Sequence, residues 1–85
     1  MSTFRLYPIP LKARVRLRRE RNRRGWPLTT VAQKLGVTPE QISRLETGVR
    51  GIESRELSRW ARVLGLEATI KEASVTLIKM EELIA

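Results

Sequence analysis

Apolar residues in the middle of the chain recur at intervals of three and four, the spacing that places side chains on one face of an α-helix. Three short sets follow one another: Val31, Ala32 and Leu35; Ile42 and Leu45; Leu57, Trp60, Ala61 and Leu64. A glycine follows each set, at Gly36, Gly48 and Gly65, and glycine readily takes the left-handed conformation that ends a helix. The pattern predicts three short helices, the last of them capped by Glu53 or Ser54.

The segment Thr38-Pro39-Glu40-Gln41 has the form of a capping box: a threonine cap, a proline at the first helical position and a glutamine able to reach back. It marks the start of the central helix. At about 100° per residue, one side of this helix is apolar and the opposite side is polar. The apolar side carries Ile42 and Leu45, and the polar side carries Glu40, Arg44 and Thr47.

A more basic pattern precedes these helices, from Leu11 to about Arg24. Ala13 and Leu17 lie four residues apart and form a thin apolar stripe, which predicts a charged helix that ends at Gly25. Pro27 suits the opening of the next helix, since a first-turn residue needs no free N–H group.

Both ends of the chain carry weaker signals. Residues 1–10 read as an N-terminal arm or a short strand, with apolar alternation over residues 3–9. In residues 67–85 a four-three apolar spacing fits an amphipathic helix, whereas the β-branched residues favour a strand at 75–79 paired with one at 68–71. The pattern leaves this choice open.

Charge is distributed unevenly along the chain. The formal net charge is +8, and residues 1–25 hold nine basic side chains against Glu20 alone, while the other sixty residues are balanced. Such a concentration of positive charge indicates a polyanionic partner, with nucleic acid ahead of an anionic membrane surface. A solvated basic tail is the alternative.

The composition also argues against several classes of protein. The chain has no Cys, no His and no Asp, so the usual metal ligands and most acid–base catalysts are absent. We expect no enzyme, no cofactor and no metal site. No apolar run approaches the roughly 18 residues needed to cross a bilayer, and we expect a cytoplasmic protein without a membrane partner.

The residues of the three helical sets and their glycines resemble the phage repressor and Cro type (XRE-like) helix-turn-helix family over about residues 11–66. The resemblance is carried by Gly25-Trp26, by Val31 to Val37, by Ile42 to Gly48, and by Leu57, Ala61, Leu64, Gly65 and Leu66. It implies a mostly α, lambda-repressor-like domain of about four helices. Residues 1–10 and 67–85 would flank this domain, and short terminal strands would serve in dimerisation.

The resemblance implies a surface that reads DNA. The central helix would enter the major groove, where each base pair presents a distinct pattern of donors and acceptors. Arg44, Glu40 and Pro39 would meet base edges, and Gln41 would divide its amide between capping and contact. Where many relatives have a polar cap and a glutamine at the start of the second helix, this chain has Pro27-Leu28.

The family also implies contacts to the DNA backbone, which do not distinguish one base sequence from another. Phosphate contacts would come from Thr38, Thr47, Arg50, Thr29, Thr30, Lys12 and Arg14. Arg21 and Glu46 resemble a structural ion pair that ties the first helix to the reading helix. The predicted self-association surface consists of Ile70, Val75, Leu77 and Ile78.

These inferences converge on a sequence-specific, double-stranded DNA-binding regulator of the repressor type. It would be a homodimer in a prokaryotic or phage-infected cell, of phage, plasmid or toxin–antitoxin origin, with a toxin or other protein as a further partner. The alternative is a protein- or RNA-interaction module that keeps the fold, such as a host-takeover factor or an antitoxin acting mainly by protein binding.

Overall fold

Four helices and an antiparallel β-hairpin make up the computed structural model, which describes residues 8–71 and 74–81. In chain order the elements are α1 (Leu11–Arg23), α2 (Leu28–Leu35), α3 (Pro39–Thr47), α4 (Ser54–Val63), β1 (Leu66–Lys71) and β2 (Ser74–Lys79). The predicted mostly α architecture of about four helices is therefore confirmed. Among the described residues, no helix has both the length and the apolar character needed to cross a membrane.

The ends of α3 follow the sequence signals closely. The Thr38 hydroxyl accepts a hydrogen bond from the Gln41 N–H at 3.2 Å, and the Gln41 side-chain oxygen accepts one from the Thr38 N–H at 2.9 Å. This reciprocal box satisfies two backbone donors that a helix start would otherwise leave unpaired. At the other end Gly48 has φ +80°, a left-handed conformation that a side chain would oppose.

Two helix starts differ from the expectation. Helix α2 begins at Leu28, and Pro27 precedes it in an extended conformation, where its ring still costs no hydrogen bond. At α4 the N-cap position belongs to Glu53, whose side chain makes no capping hydrogen bond.

A single apolar core joins all six elements. Its largest fully buried side chains come from α1, α2, α3, α4, the residue that follows α4 and β1: Leu17, Val31, Ile42, Trp60, Leu64 and Leu66. Because Leu66 belongs to β1, the boundary expected between residues 66 and 67 falls inside a strand that belongs to this core.

The described part of the tail contains two paired strands, so the strand interpretation is the correct one for residues 66–71 and 74–79. Strands β1 and β2 pair from Leu66↔Lys79 to Lys71↔Ser74. The register places Ile70, Val75 and Leu77 on one face, where they remain half-exposed and pack against the helical core. Ile78 alternates to the other face. The strand expected at residues 3–9 falls almost wholly outside the described residues.

Candidate nucleic-acid interface

Helices α2 and α3 pack on each other and join through the turn at Gly36 and Val37. Ile42 and Leu45 turn α3 inward, with 0% and 6% of their surface exposed. Glu40, Arg44 and Thr47, on the opposite side of α3, are exposed. The helix therefore presents a polar ridge at the protein surface, and an exposed helix has the width that a DNA major groove admits.

The centre of this ridge is an ion pair. The Arg44 Nη2 atom lies 2.8 Å from the Glu40 carboxylate, one helical turn away, and the two side chains are 57% and 73% exposed. A solvated pair at this spacing contributes only a few tenths of a kcal/mol. Both groups can therefore exchange this contact for another partner at little cost. Together they leave the ridge with no net charge.

The first turn of α3 has fewer polar side-chain atoms free to bind base edges than its residue types suggest. Pro39 is exposed and has no polar side-chain atom. The Gln41 oxygen is engaged by the Thr38 N–H, and the exposed Thr38 uses its own hydroxyl in the same box. A glutamine needs both its oxygen and its amino group to bind adenine in the two-bonded mode. Capping and base reading therefore compete for Gln41.

Four of the residues predicted to contact phosphates lie at the end of α3, in the loop that follows it and at the start of α2. The Thr47 hydroxyl donates to the Ser43 carbonyl at 3.0 Å, at the exposed end of α3. Arg50 is half-buried in the loop that follows. Thr29 and Thr30 lie in the first turn of α2, exposed and half-buried respectively, where helix N–H groups favour an anion.

Arg21 and Glu46 hold α3 against α1. The Arg21 guanidinium donates to both Glu46 oxygens, from Nε at 2.7 Å and from Nη2 at 3.0 Å, and from Nη1 to the Trp26 carbonyl at 2.9 Å. The two side chains are only 12% and 5% exposed. One guanidinium thus fixes α1, α3 and the α1–α2 connection in a single orientation.

The two basic residues predicted to bind phosphate from α1 lie on different sides of it. The Arg14 Nε–H donates to the Ile9 carbonyl at 2.9 Å, and its guanidinium lies against Gly48, where an added Cβ would be 2.6 Å from the Arg14 Cζ. Arg14 therefore packs against the end of α3. Lys12 instead lines a groove with Val75 of β2.

Other members of the basic run also have partners within the fold. The buried Glu20 accepts two hydrogen bonds from the Arg23 Nε at 3.0 and 3.1 Å and one from its Nη2 at 2.8 Å. These bonds lower the pKa of Glu20, and the nearby charges of Lys79 and Arg24 act in the same direction. The pKa of Arg23 is raised by the same hydrogen bonds.

Arg24 joins the start of the α1–α2 connection to the end of α4. Its Nη2 donates to the Leu64 carbonyl at 3.1 Å, and its guanidinium carbon lies 5.1 Å from the centre of the Trp26 ring. Lys34 lies at the same distance from that ring. Sequence reasoning missed these internal roles of Arg14, Arg23 and Arg24. Only the three-residue spacing of Glu20 and Arg23 gave a local signal.

The comparisons with known proteins agree with this geometry. A family model described as Helix-turn-helix matches residues 17–70, more than half of the chain and all of α2, α3 and α4. No curated protein and no solved structure matches the chain.

Proposed function

The chain belongs to the Cro-type (XRE-like) helix-turn-helix family, a family of DNA-binding regulators, and on this premise we propose that it recognises a specific duplex sequence with α3. The observation that carries the proposal is the outward ridge of α3. Its only exposed charges, Glu40 and Arg44, face solvent while Ile42, Leu45 and Glu46 anchor the opposite side.

The chemistry of the ridge supports a mixed base preference. Arg44 has the donor pair that matches guanine O6 and N7, and Glu40 accepts from the amino group of cytosine. Glu40 also repels phosphate, and its carboxylate loses the counter-charge of Arg44 when Arg44 turns to a base. Pro39 adds an apolar contact surface. Gln41 contributes to base reading only where its amide leaves the capping box.

The remaining contacts position the protein on the duplex without reading it. The proposed contacts lie before, at the end of and after α3, and in the first turn of α2: Thr38, Thr47, Arg50, Thr29 and Thr30. Such contacts set register and orientation. Arg14 lies close enough to the end of α3 to reach a phosphate with its terminal nitrogens. Lys12 lies on the other flank of α1, and its phosphate contact depends on the duplex bending towards α1.

Self-association through the hairpin completes this proposal. Two protomers on a two-fold axis would place two α3 ridges in successive major grooves, about 34 Å apart along the duplex. The support is the two-stranded sheet, in which each strand has one strand neighbour among the described residues, and the half-exposed Ile78 on its outer face. Ile70, Val75 and Leu77 contribute less directly, because they already pack against the core.

A sedimentation experiment tests the dimer. Replacement of Ile78 by lysine should raise the concentration at which dimers form, since it places a charge on the outer face of the sheet. Replacement of Thr69, on the same face, by lysine should act in the same direction, and replacement of the exposed Asn22 of α1 by lysine is the control for added charge outside the hairpin. An unchanged sedimentation profile for both hairpin variants would contradict dimerisation through the hairpin face.

Base reading is tested with duplexes selected from a random pool. Arg44→Ala should weaken binding to the selected site by about 1–3 kcal/mol and relax preference at one base pair. Arg59→Ala, at an exposed position of α4, is the matched control and should leave that preference intact. Equal weakening on all sequences would reduce Arg44 to a phosphate contact.

We further propose that this DNA-binding regulator is a repressor of the phage, plasmid or toxin–antitoxin type. A selected site placed within a promoter should then lower reporter expression when the protein is present. A steep salt dependence without any sequence preference would instead favour the protein- or RNA-interaction module.

A further inference from the structure

Helix α1 has a second face that takes no part in holding α3. Leu11 and Val15 are 63% and 44% exposed, one helical turn apart. Lys12, Arg16 and Arg19 follow at helical spacing beside them, and within the described residues these three make no hydrogen bond or ion pair. We call these five residues the α1 outer face.

The α1 outer face is separate from the α3 ridge. Arg14 and Arg21 mark the flank of α1 that meets α3, through Gly48 and Glu46. Lys12 is two residues, or about 200°, from Arg14 around the helix axis. Lys12 and Arg16 accordingly lie beside Val75 and Leu77 of β2, on the opposite flank.

The chemistry of this face differs from that of a phosphate site. A phosphodiester backbone would neutralise the three basic side chains of this face. It would also place charged phosphates and their bound water next to Leu11 and Val15. A second copy of the chain would bring the same positive surplus. A partner segment with apolar side chains on one stripe and carboxylates beside it complements both the apolar residues and the basic residues of this face. Lys12 and Arg19 are about 10 Å apart along the axis, which matches carboxylates on three successive turns of a partner helix.

We propose that the α1 outer face binds an acidic amphipathic segment of a partner protein, with apolar side chains against Leu11 and Val15 and carboxylates against Lys12, Arg16 and Arg19. This interaction leaves α3 open to solvent. It does not depend on the assignment of α3 as a reading helix, and it permits the chain to bind a protein at the same time as an unbent duplex, which Lys12 does not contact.

A synthetic peptide tests the proposal. The probe is a fluorescent helix of about 18 residues, five turns, with leucines on one stripe and glutamates beside it. A scrambled isomer of the same composition is the ligand control. At about 0.15 M salt, where screening is physiological, the full chain should bind the ordered peptide about tenfold more tightly than the scrambled isomer. Equal affinity for the two peptides would overturn the proposal.

Charge reversals locate the site. The double variant Arg16→Glu with Arg19→Glu should lose about tenfold in affinity for the peptide, a loss that two surface ion pairs of ordinary strength together account for. Arg55→Glu with Arg59→Glu, on the exposed side of α4, makes the same change in net charge and should alter affinity less than about twofold if long-range attraction is screened. Equal losses would show general charge attraction and overturn the proposal.

Amide chemical shifts of the unmodified protein provide a test that needs no variant. Addition of the peptide should shift resonances of α1 and β2 and leave those of α3 unchanged, and a bound selected duplex should not be displaced. Shifts centred on α3, or displacement of the duplex, would place the peptide on the reading ridge and refute a separate site. Tighter capture by anionic phosphatidylglycerol vesicles through Arg16 and Arg19 would identify a lipid surface instead.

Discussion

Two Arg–Glu pairs on the same helix provide a controlled test of what holds α3 in place. The Glu46–Arg21 pair has a shortest N–O distance of 2.7 Å, and the Glu40–Arg44 pair one of 2.8 Å. The two ion pairs therefore do not differ appreciably in their N–O distance. They differ in burial: Glu46 is 5% exposed and Glu40 is 73% exposed. Truncation of each glutamate to alanine removes one charge and one ion pair from α3.

The expected losses differ by an order of magnitude. Glu46→Ala leaves the 12% exposed Arg21 without its counter-charge, and breaking a buried pair in this way costs about 3–5 kcal/mol. Glu40→Ala breaks a solvated pair and should cost about 0.5 kcal/mol or less. A domain of this length has a total free energy of unfolding of about 4–13 kcal/mol, so Glu46→Ala removes a large share of it.

Thermal and urea unfolding followed by circular dichroism measure both variants. At about 4–8 °C per kcal/mol for a domain of this size, Glu46→Ala should lower the midpoint by more than about 12 °C and Glu40→Ala by less than about 4 °C. The double replacement Arg21→Met with Glu46→Leu should recover much of the loss, because no charge is left buried. Similar midpoints for the two alanine variants would refute the claim that the Arg21–Glu46 pair anchors α3.

Two further predictions concern acid stability and the glycine turns. Hydrogen bonds from Arg23 lower the pKa of Glu20, so its stabilising contribution is present above the usual value of about 4.3 and is lost as pH falls through the lower folded-state pKa. Glu20→Gln should therefore flatten the decline in the urea-unfolding free energy below about pH 5, and an unchanged slope would contradict this. Gly36 and Gly48 both have positive φ, but a Cβ at Gly36 meets open space whereas one at Gly48 meets Arg14. Gly36→Ala should cost about 1–2 kcal/mol, as measured by thermal unfolding, and Gly48→Ala should cost more, because moving Arg14 aside breaks its hydrogen bond to the Ile9 carbonyl. Equal losses would show that the Arg14 guanidinium moves aside without loss of that bond.

Local signals predicted the helices and the outward side of α3. The capping box at Thr38 and the turn at Gly48 are encoded within a few residues of where they act, and Ile42 and Leu45 fix the rotation of the helix once it forms. The exposure of Glu40 and Arg44 then follows from the helical period alone.

The hairpin and the internal arginine contacts could not be predicted in this way. Ile70, Val75 and Leu77 gain their burial from α1 and α4, so the choice between strand and helix depends on packing that the tail does not encode. Arg24 bonds a carbonyl forty residues away, and Arg14 packs on Gly48. Such pairings exist only in the folded chain. Because these arginines bond within the fold, fewer basic groups remain available at the surface than the basic run at the start of the sequence suggests.

The separation of the two sides of α3 has an evolutionary consequence. Among the described residues, the side chains of Glu40 and Arg44 bond only to each other and face water, so their replacement changes what the ridge fits without disturbing the core. Mutations at these two positions can therefore accumulate, and related proteins can diverge in target sequence on an unchanged scaffold, so long as Glu46 and Ile42 are retained.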